Sequence, residues 1–227
     1  MFNFIDWGVI DYNEALKNQE ALFNLKIEQK IAGKQPTQDL ILCEHLPVYT
    51  IGKHGDDNNM LMSDKWLKEN NIKLIHISRG GDITYHGPGQ ITGYPILDLQ
   101  QLHLGLKDYI HQIEEAVIIT IANYGIIGSR LTGATGVWID PLGSNARKIC
   151  AIGVRASRYV TMHGFALNVN TDLRYFSYIN PCGFSDKAVT SIQKEIGTCV
   201  PINQVKQELW SNISKCLSLK RNKDTFI

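Results

Sequence analysis

The tract Arg79-Gly80-Gly81-Asp82-Ile83-Thr84-Tyr85-His86-Gly87-Pro88-Gly89-Gln90 constrains the fold more than any other stretch of the chain. Glycines and a proline at this density rule out a helix, and the apolar runs on either side, Lys73 to Ile77 and Ile91 to Leu99, read as strands. The tract is therefore a turn-dense loop between two strands. Glycines let backbone amides and a ligand approach where a Cβ would obstruct, so the loop reads as a surface shaped around a bound molecule. The plainer alternative is a set of tight turns, with Arg79 a surface charge and His86 a satisfied structural histidine.

The chain around this loop has the make-up of an ordinary soluble domain. Of its 227 residues 44% are hydrophobic, 20% charged and 9% aromatic, enough for a sizeable core. We expect a single domain over residues 1–219 and a polar C-terminal tail at 220–227. A formal net charge of +1 gives no reason to expect a nucleic-acid partner. No apolar run approaches the roughly 20 residues of a membrane span, and the first residues lack the basic start and apolar core of a signal peptide, so no membrane partner is expected. Cys43, Cys150, Cys182, Cys199 and Cys216 are odd in number and form no C-x-x-C pair, which argues against a zinc ribbon and a fully paired disulfide framework. A reducing, cytoplasmic setting without a metal or cofactor is the expectation.

Helices and strands alternate along the sequence. Asp11-x-x-Glu14 has the form of a capping box, and Leu16, Phe23, Ile27 and Ile31 recur on one helical face before Gly33. Strands are expected at Asp39 to Glu44 and Val48 to Ile51, and a short helix opened by Ser63. Leu106, Ile110, Ile113, Val117, Ile121 and Tyr124 mark a long amphipathic helix that Gly125 ends and that backs a sheet. Val137 to Asp140 and Lys148 to Ala156 flank a Pro-Gly turn and predict a hairpin, with a further strand from Tyr159 to Asn168. Pro201 opens a closing helix with Val205, Leu209, Ile213 and Cys216 on its buried face.

Pro181-Cys182-Gly183 sets a second turn around a cysteine and reads as a presented thiol, although a buried inert cysteine is the plain alternative. The glycine tract lacks the G-x-x-x-x-G-K-[ST] spacing and a clean G-x-G-x-x-G opening a βαβ unit, so ATP is not indicated. Together the two tracts suggest covalent chemistry on a ligand lying along the glycines.

The residues resemble the lipoyl(octanoyl) transferase family of lipoate biosynthesis, whose typical R-G-G-x-x-T-Y-H-G-P-G-Q tract and following G-Y-P stand here as Arg79 to Gln90 and Gly93-Tyr94-Pro95. The likeness continues at Glu44 to Thr50, Lys148 to Gly153, Thr161 to Asn168 and Pro181 to Gly183. Asp82, where a longer polar or basic residue is common, and Leu46, where a second proline is common, depart from the pattern.

The resemblance implies an α/β fold of α+β type, a mixed sheet flanked by helices like the lipoate and biotin protein ligase catalytic domain. It also implies transfer of an octanoyl group from octanoyl-acyl carrier protein to the target lysine of apo lipoyl domains, those of 2-oxoacid dehydrogenase E2 subunits and of the glycine cleavage H protein. Cys182 is the implied nucleophile, which carries the acyl group as a thioester. Lys148 is the implied cation beside it, favouring the thiolate or taking a proton from the acceptor amine. Arg79, Gly80, Gly81, Asp82, Ile83, Thr84, Tyr85, His86, Ala151, Ile152, Gly153, Gly164, Phe165 and Ala166 match the family's substrate-binding segments. His86 and His163 are expected to anchor loops rather than move protons. Lys148, Arg155 and Arg158, close in sequence, are expected to guide an acidic carrier protein. Two other readings are an ATP-dependent lipoate or biotin protein ligase of the same fold, and a non-catalytic module that binds carrier domains. A cysteine peptidase pairing Cys182 with His163 is more remote.

Overall fold

The computed structural model describes residues 2–180 and 188–218; Cys182, with Pro181 and Gly183, and the tail at 220–227 lie outside them. Two mixed sheets form the frame. The larger is built from β1 (Phe2–Ile10), β2 (Gln38–His45), β6 (Gln90–Ile96), β10 (Val160–Asn168), β9 (Arg147–Ser157), β8 (Ala134–Ile139) and β7 (Ser129–Leu131), in that spatial order. The short β11 (Ala188–Val189) pairs in parallel with Arg147 and Lys148 of β9. Strands β4 (Lys73–His76), β3 (Val48–Ile51) and β5 (Ile83–His86) make the smaller sheet. Pairing is parallel in β1–β2 and β3–β4 and antiparallel in β2–β6, β6–β10, β10–β9 and β9–β8, so the expected mixed α/β architecture is present.

Helices α3 (Leu106–Ala122) and α5 (Ile202–Cys216) cover one face of the large sheet. Tyr109, Ile113, Val117 and Ile121 of α3 meet Val205, Leu209 and Ile213 of α5 over Leu40, Ile91, Ile149 and Leu167 in one buried cluster. The spacing of these residues is that of an amphipathic helix, and the apolar stripe is the face that packs. Pro201 stands just before α5 as its N-cap rather than at its first helical position. Cys216 is half-buried against the same cluster.

Helix α1 (Tyr12–Ile31) lies on the opposite face, its N-terminus capped by the Asp11 carboxylate, which accepts from Asn13 N at 2.9 Å. Its fully buried positions are Tyr12, Ala15, Gln19, Phe23 and Lys26; of the expected stripe Phe23 is buried, Leu16 and Ile27 are half-buried against the cluster that holds it, and Ile31 is 66% exposed. Lys26 is admitted to this face by an electrostatic partner: its buried Nζ sits 2.6 Å from Asp39 and donates to Thr37 O, so its charge is paired inside the protein. Ser63 caps α2 (Asp64–Glu69) as expected, through its hydroxyl and Trp66 N. The short α4 (Ile192–Ile196) follows β11. No helix among the described residues is long and apolar enough to cross a membrane.

Candidate active site

One irregularity in the sheet organises the site. Val137 of β8 stands opposite Cys150, and Trp138 opposite Lys148, so Ile149 is an extra residue in β9, a β-bulge. In a regular strand Lys148 and Ala151, three apart, would project from opposite faces. The bulge turns Ile149 and Cys150 together into the core beneath α3, and brings Lys148 to the face on which Ala151 and Gly153 also lie. These three residues then line one cavity of about 940 Å³.

The glycine tract forms the facing wall. Gly80 N donates to Val154 O at 3.1 Å, which pins the tract along β9. Gly153 is what permits the approach: a Cβ there would stand 2.8 Å from Gly80 O and 3.1 Å from Arg79 Cδ. Val154 O points away from β10, and by the two-residue repeat the main-chain groups of Ile152 point the same way. The β8 register ends at Val137 opposite Cys150, so among the described residues no ladder partner faces Ile152. By that alternation its N–H would face the tract, which makes it a candidate donor to an oxyanion. The Ile152 side chain, by contrast, packs toward the core cluster.

Lys148 is half-buried, with Nζ 4.6 Å from the centroid of the Trp138 ring. Burial pushes the ammonium pKa below the ordinary lysine value, with the Cys150 thiol acting weakly in the other direction. The adjacent Arg147 is clamped to Glu195 by two charge-assisted bonds at 2.6 and 2.5 Å. Thr190 N donates to Lys148 O at 2.9 Å, and Asn168 Nδ2 to Thr190 O at 3.0 Å, so β11 is fastened to the Lys148 strand. Asn180 and Ala188, the described residues that bracket the stretch containing Cys182, both line the cavity.

The histidines are held by networks. Gln90 Nε2 donates to Tyr85 O and Asn168 Oδ1, leaving Oε1 to accept from His86 Nδ1 at 2.8 Å, which assigns His86 the Nδ1–H tautomer. Burial lowers the His86 pKa to about 3, so the ring is neutral, and it stacks on Tyr12. Arg155 donates to Ser78 Oγ at 3.0 Å, and the Ser78 hydroxyl lies 3.3 Å from His163 Nε2. His163 is likewise lowered to about 3, by burial first and then by Arg79 and Arg155. Its φ of 62° is left-handed, a cost of roughly 1–3 kcal/mol that neighbouring structure must sustain.

The Arg79 guanidinium is buried, donating to Thr50 O at 2.7 Å and Thr50 Oγ1 at 2.9 Å. Gly80, Gly81, Asp82, Ile83, Thr84, His86, Gly164, Phe165 and Ala166 join it around the cavity. Tyr85 is turned away, stacked on Tyr175 at 4.6 Å in the cluster under the small sheet. Asp82 accepts two bonds from Asn59 Nδ2, at 2.9 and 3.1 Å, so this departure from the familiar pattern ties two loops together. The basic residues Lys148, Arg155 and Arg158 do not form a cluster: they spread along β9 and the turn after it, and Arg155 is engaged with Ser78. Sequence reasoning missed Tyr12, Thr135, Trp138, Leu106 and Ile110 on the cavity wall. For Trp138 a signal existed, since it stands across the predicted hairpin from Lys148.

Comparison with known proteins fits this geometry. The family model for the lipoyl protein ligase A/B catalytic domain matches residues 11–214. The octanoyltransferase of Bacteroides thetaiotaomicron is 54% identical over 217 residues, which cover 96% of this chain and 96% of that one. Among solved structures, the archaeal bipartite lipoate protein ligase of Thermoplasma acidophilum aligns over 100% of this chain and 88% of its own, with a TM-score of 0.70 at 17% identity. The biotin protein ligase of Aquifex aeolicus in complex with biotin and ATP aligns over 95% of this chain and 70% of its own, with a TM-score of 0.56 at 14% identity. These distant structures share the fold, whereas the sequence match spans nearly the whole chain, and the chain belongs to the lipoyl protein ligase A/B catalytic domain family.

Proposed function

We propose that this protein is an octanoyltransferase that moves an octanoyl group from octanoyl-acyl carrier protein to the target lysine of apo lipoyl domains, those of 2-oxoacid dehydrogenase E2 subunits and of the glycine cleavage H protein. The observation that carries the reading is the Lys148 ammonium, partly desolvated on a cavity wall shared with the glycine tract and bracketed by Asn180 and Ala188. The chain's half-identity to an octanoyltransferase supports the same chemistry.

In the first half-reaction the Cys182 thiolate attacks the donor thioester carbonyl. A C–S bond to Cys182 forms, the bond to the carrier's sulfur breaks, and the released thiolate takes up a proton. In the second, the acceptor lysine amine attacks the acyl-cysteine, a C–N bond forms, and the Cys182 thiolate leaves. A lysine held in the charged form beside the thiol favours its thiolate, and the neutral form accepts the amine proton. The Ile152 N–H is the backbone donor we assign to the carbonyl oxygen as it gains charge in both steps. A thioester donor is already activated, so neither step requires ATP.

Incubation with octanoyl-acyl carrier protein, followed by intact mass measurement, tests the reading. One added octanoyl group, removable by hydroxylamine and transferable to a lipoyl domain without ATP, is the expected result. Labelling of a lipoyl domain from free octanoate or lipoate only when ATP is present would replace the reading with a ligase.

A further inference from the structure

We propose that Trp138 is a positioning residue for Lys148, its indole face holding the ammonium against the cavity wall; the inference rests on the acyl-transfer reading for its purpose, but not for its geometry. Trp138 and Lys148 are cross-strand partners because the bulge at Ile149 makes them so. The ammonium lies 4.6 Å from the ring centroid, well inside the roughly 6 Å at which an aromatic face attracts a cation. Trp138 is 1% exposed, and its Nε1 donates to Ala134 O at 3.4 Å, so the ring is held at both ends.

The strand beneath the ring is fixed from the far side of the sheet. Gly136 N donates to Glu114 Oε1 of α3 at 2.9 Å, while Arg130 Nε holds Oε2 of the same carboxylate. Gly136 has a φ of 119°, and a Cβ on it would meet Cys150 O at 2.5 Å, so no larger residue allows the chain to pass there into Trp138. Among the described residues, the titratable groups on the elements around Lys148 include Cys150 on its own strand, Arg147 with its partner Glu195, Lys194 on the cavity wall, and Glu114. Burial pushes the Cys150 thiol far above the usual cysteine value, so it stays uncharged. Glu195 and Glu114 are engaged by arginines, and the indole face offsets part of the cost of burying the Lys148 charge.

Two measurements on the full chain test the proposal, and neither uses an octanoyl donor or a carrier protein, so their outcome is independent of whether octanoyl transfer occurs. In protein labelled with 5-fluorotryptophan, the Trp138 19F resonance, identified by its loss in Trp138→Phe, should follow one titration below the ordinary lysine range and lose it in Lys148→Met. A resonance that ignores pH, or a titration that survives Lys148→Met, overturns the proposal. In the second measurement, competitive acetylation across pH reports the proton affinity of Lys148 through its peptide mass. Loss of the aromatic face in Trp138→Leu should lower that affinity by roughly 2- to 30-fold, and Trp138→Phe by less. An unchanged or increased affinity in folded Trp138→Leu also overturns it.

Discussion

Replacing Gly153 by alanine probes the contact on which the cavity depends. The added methyl would sit 2.8 Å from Gly80 O, a backbone atom that cannot rotate aside, and 3.1 Å from Arg79 Cδ. Reaching ordinary van der Waals distance requires the tract to move by more than half an ångström, against a Gly80 N to Val154 O bond of 3.1 Å. Overpacking of this kind costs about 1–3 kcal/mol, and weakening the bond adds about 0.5–1.5 kcal/mol. Alanine's advantage over glycine in the unfolded chain returns about 0.5–1 kcal/mol. The balance is a destabilisation of about 0.5–4 kcal/mol, which a urea titration reads as a midpoint lowered by about 1 M at the centre of that range. The displaced tract also widens the space opposite Ile152, so acyl loading, followed by intact mass, should slow about tenfold for each 1.4 kcal/mol of lost transition-state contact. A variant with the wild-type urea midpoint and loading rate would refute the reasoning, because the tract could not then rest on β9.

Three further outcomes are expected. Cys182→Ser should leave the circular dichroism spectrum unchanged and abolish the hydroxylamine-labile mass gain, because an alcohol does not ionise near neutral pH; mass gain at the wild-type rate would contradict the proposed nucleophile. Lys148→Met should slow alkylation of the Cys182 thiol near pH 7, each unit of lost pKa depression being worth about 1.4 kcal/mol, and an unchanged pH profile of alkylation removes Lys148 from thiol activation. Stability should also fall as pH drops below about 6.5. In the folded protein burial keeps His86 and His163 neutral down to about 3 and His45 down to about 4, whereas the unfolded chain protonates them near 6.5 and so binds more protons across that window. Each histidine contributes up to about 1.4 kcal/mol per pH unit, and His86→Asn should reduce the slope of unfolding free energy against pH by about that amount. An identical slope in the variant would show that His86 titrates normally.

Much of the frame was legible because local signals agreed with the final packing. The Asp11 and Ser63 caps, the period of α3, and the strand Val48–Ile51 all stand where the sequence puts them. Other elements lacked such agreement. Strand β1 mixes exposed and half-buried positions at the edge of the sheet and is broken by Gly8 in a left-handed conformation. Strand β5, Ile83–His86, carries good strand residues but is hidden among the glycines that flank it. On α1 the apolar period found Phe23, Leu16 and Ile27 but not Lys26, whose burial depends on Asp39, a partner that no helical period reveals. At the site, the glycine tract and Lys148 were visible as motifs. The walls contributed by Tyr12, Leu106 and Ile110 were not, since each lies on a helix brought in by tertiary packing. Nor did strand alternation disclose the bulge, which needs the pairing of β8 with β9 to be seen.

The bulge at Ile149 also makes the site's spacing a property of one strand. The ammonium-bearing residue and Ile152 follow each other along β9, so the spacing between them is set by that strand and its pairing with β8. Hairpin turns on either side can lengthen or shorten without disturbing it. Deleting Ile149 would do what no loop change could: it would straighten the ladder, leaving the lysine on the cavity face by plain alternation but drawing it one residue, about 3.3 Å, nearer Ile152.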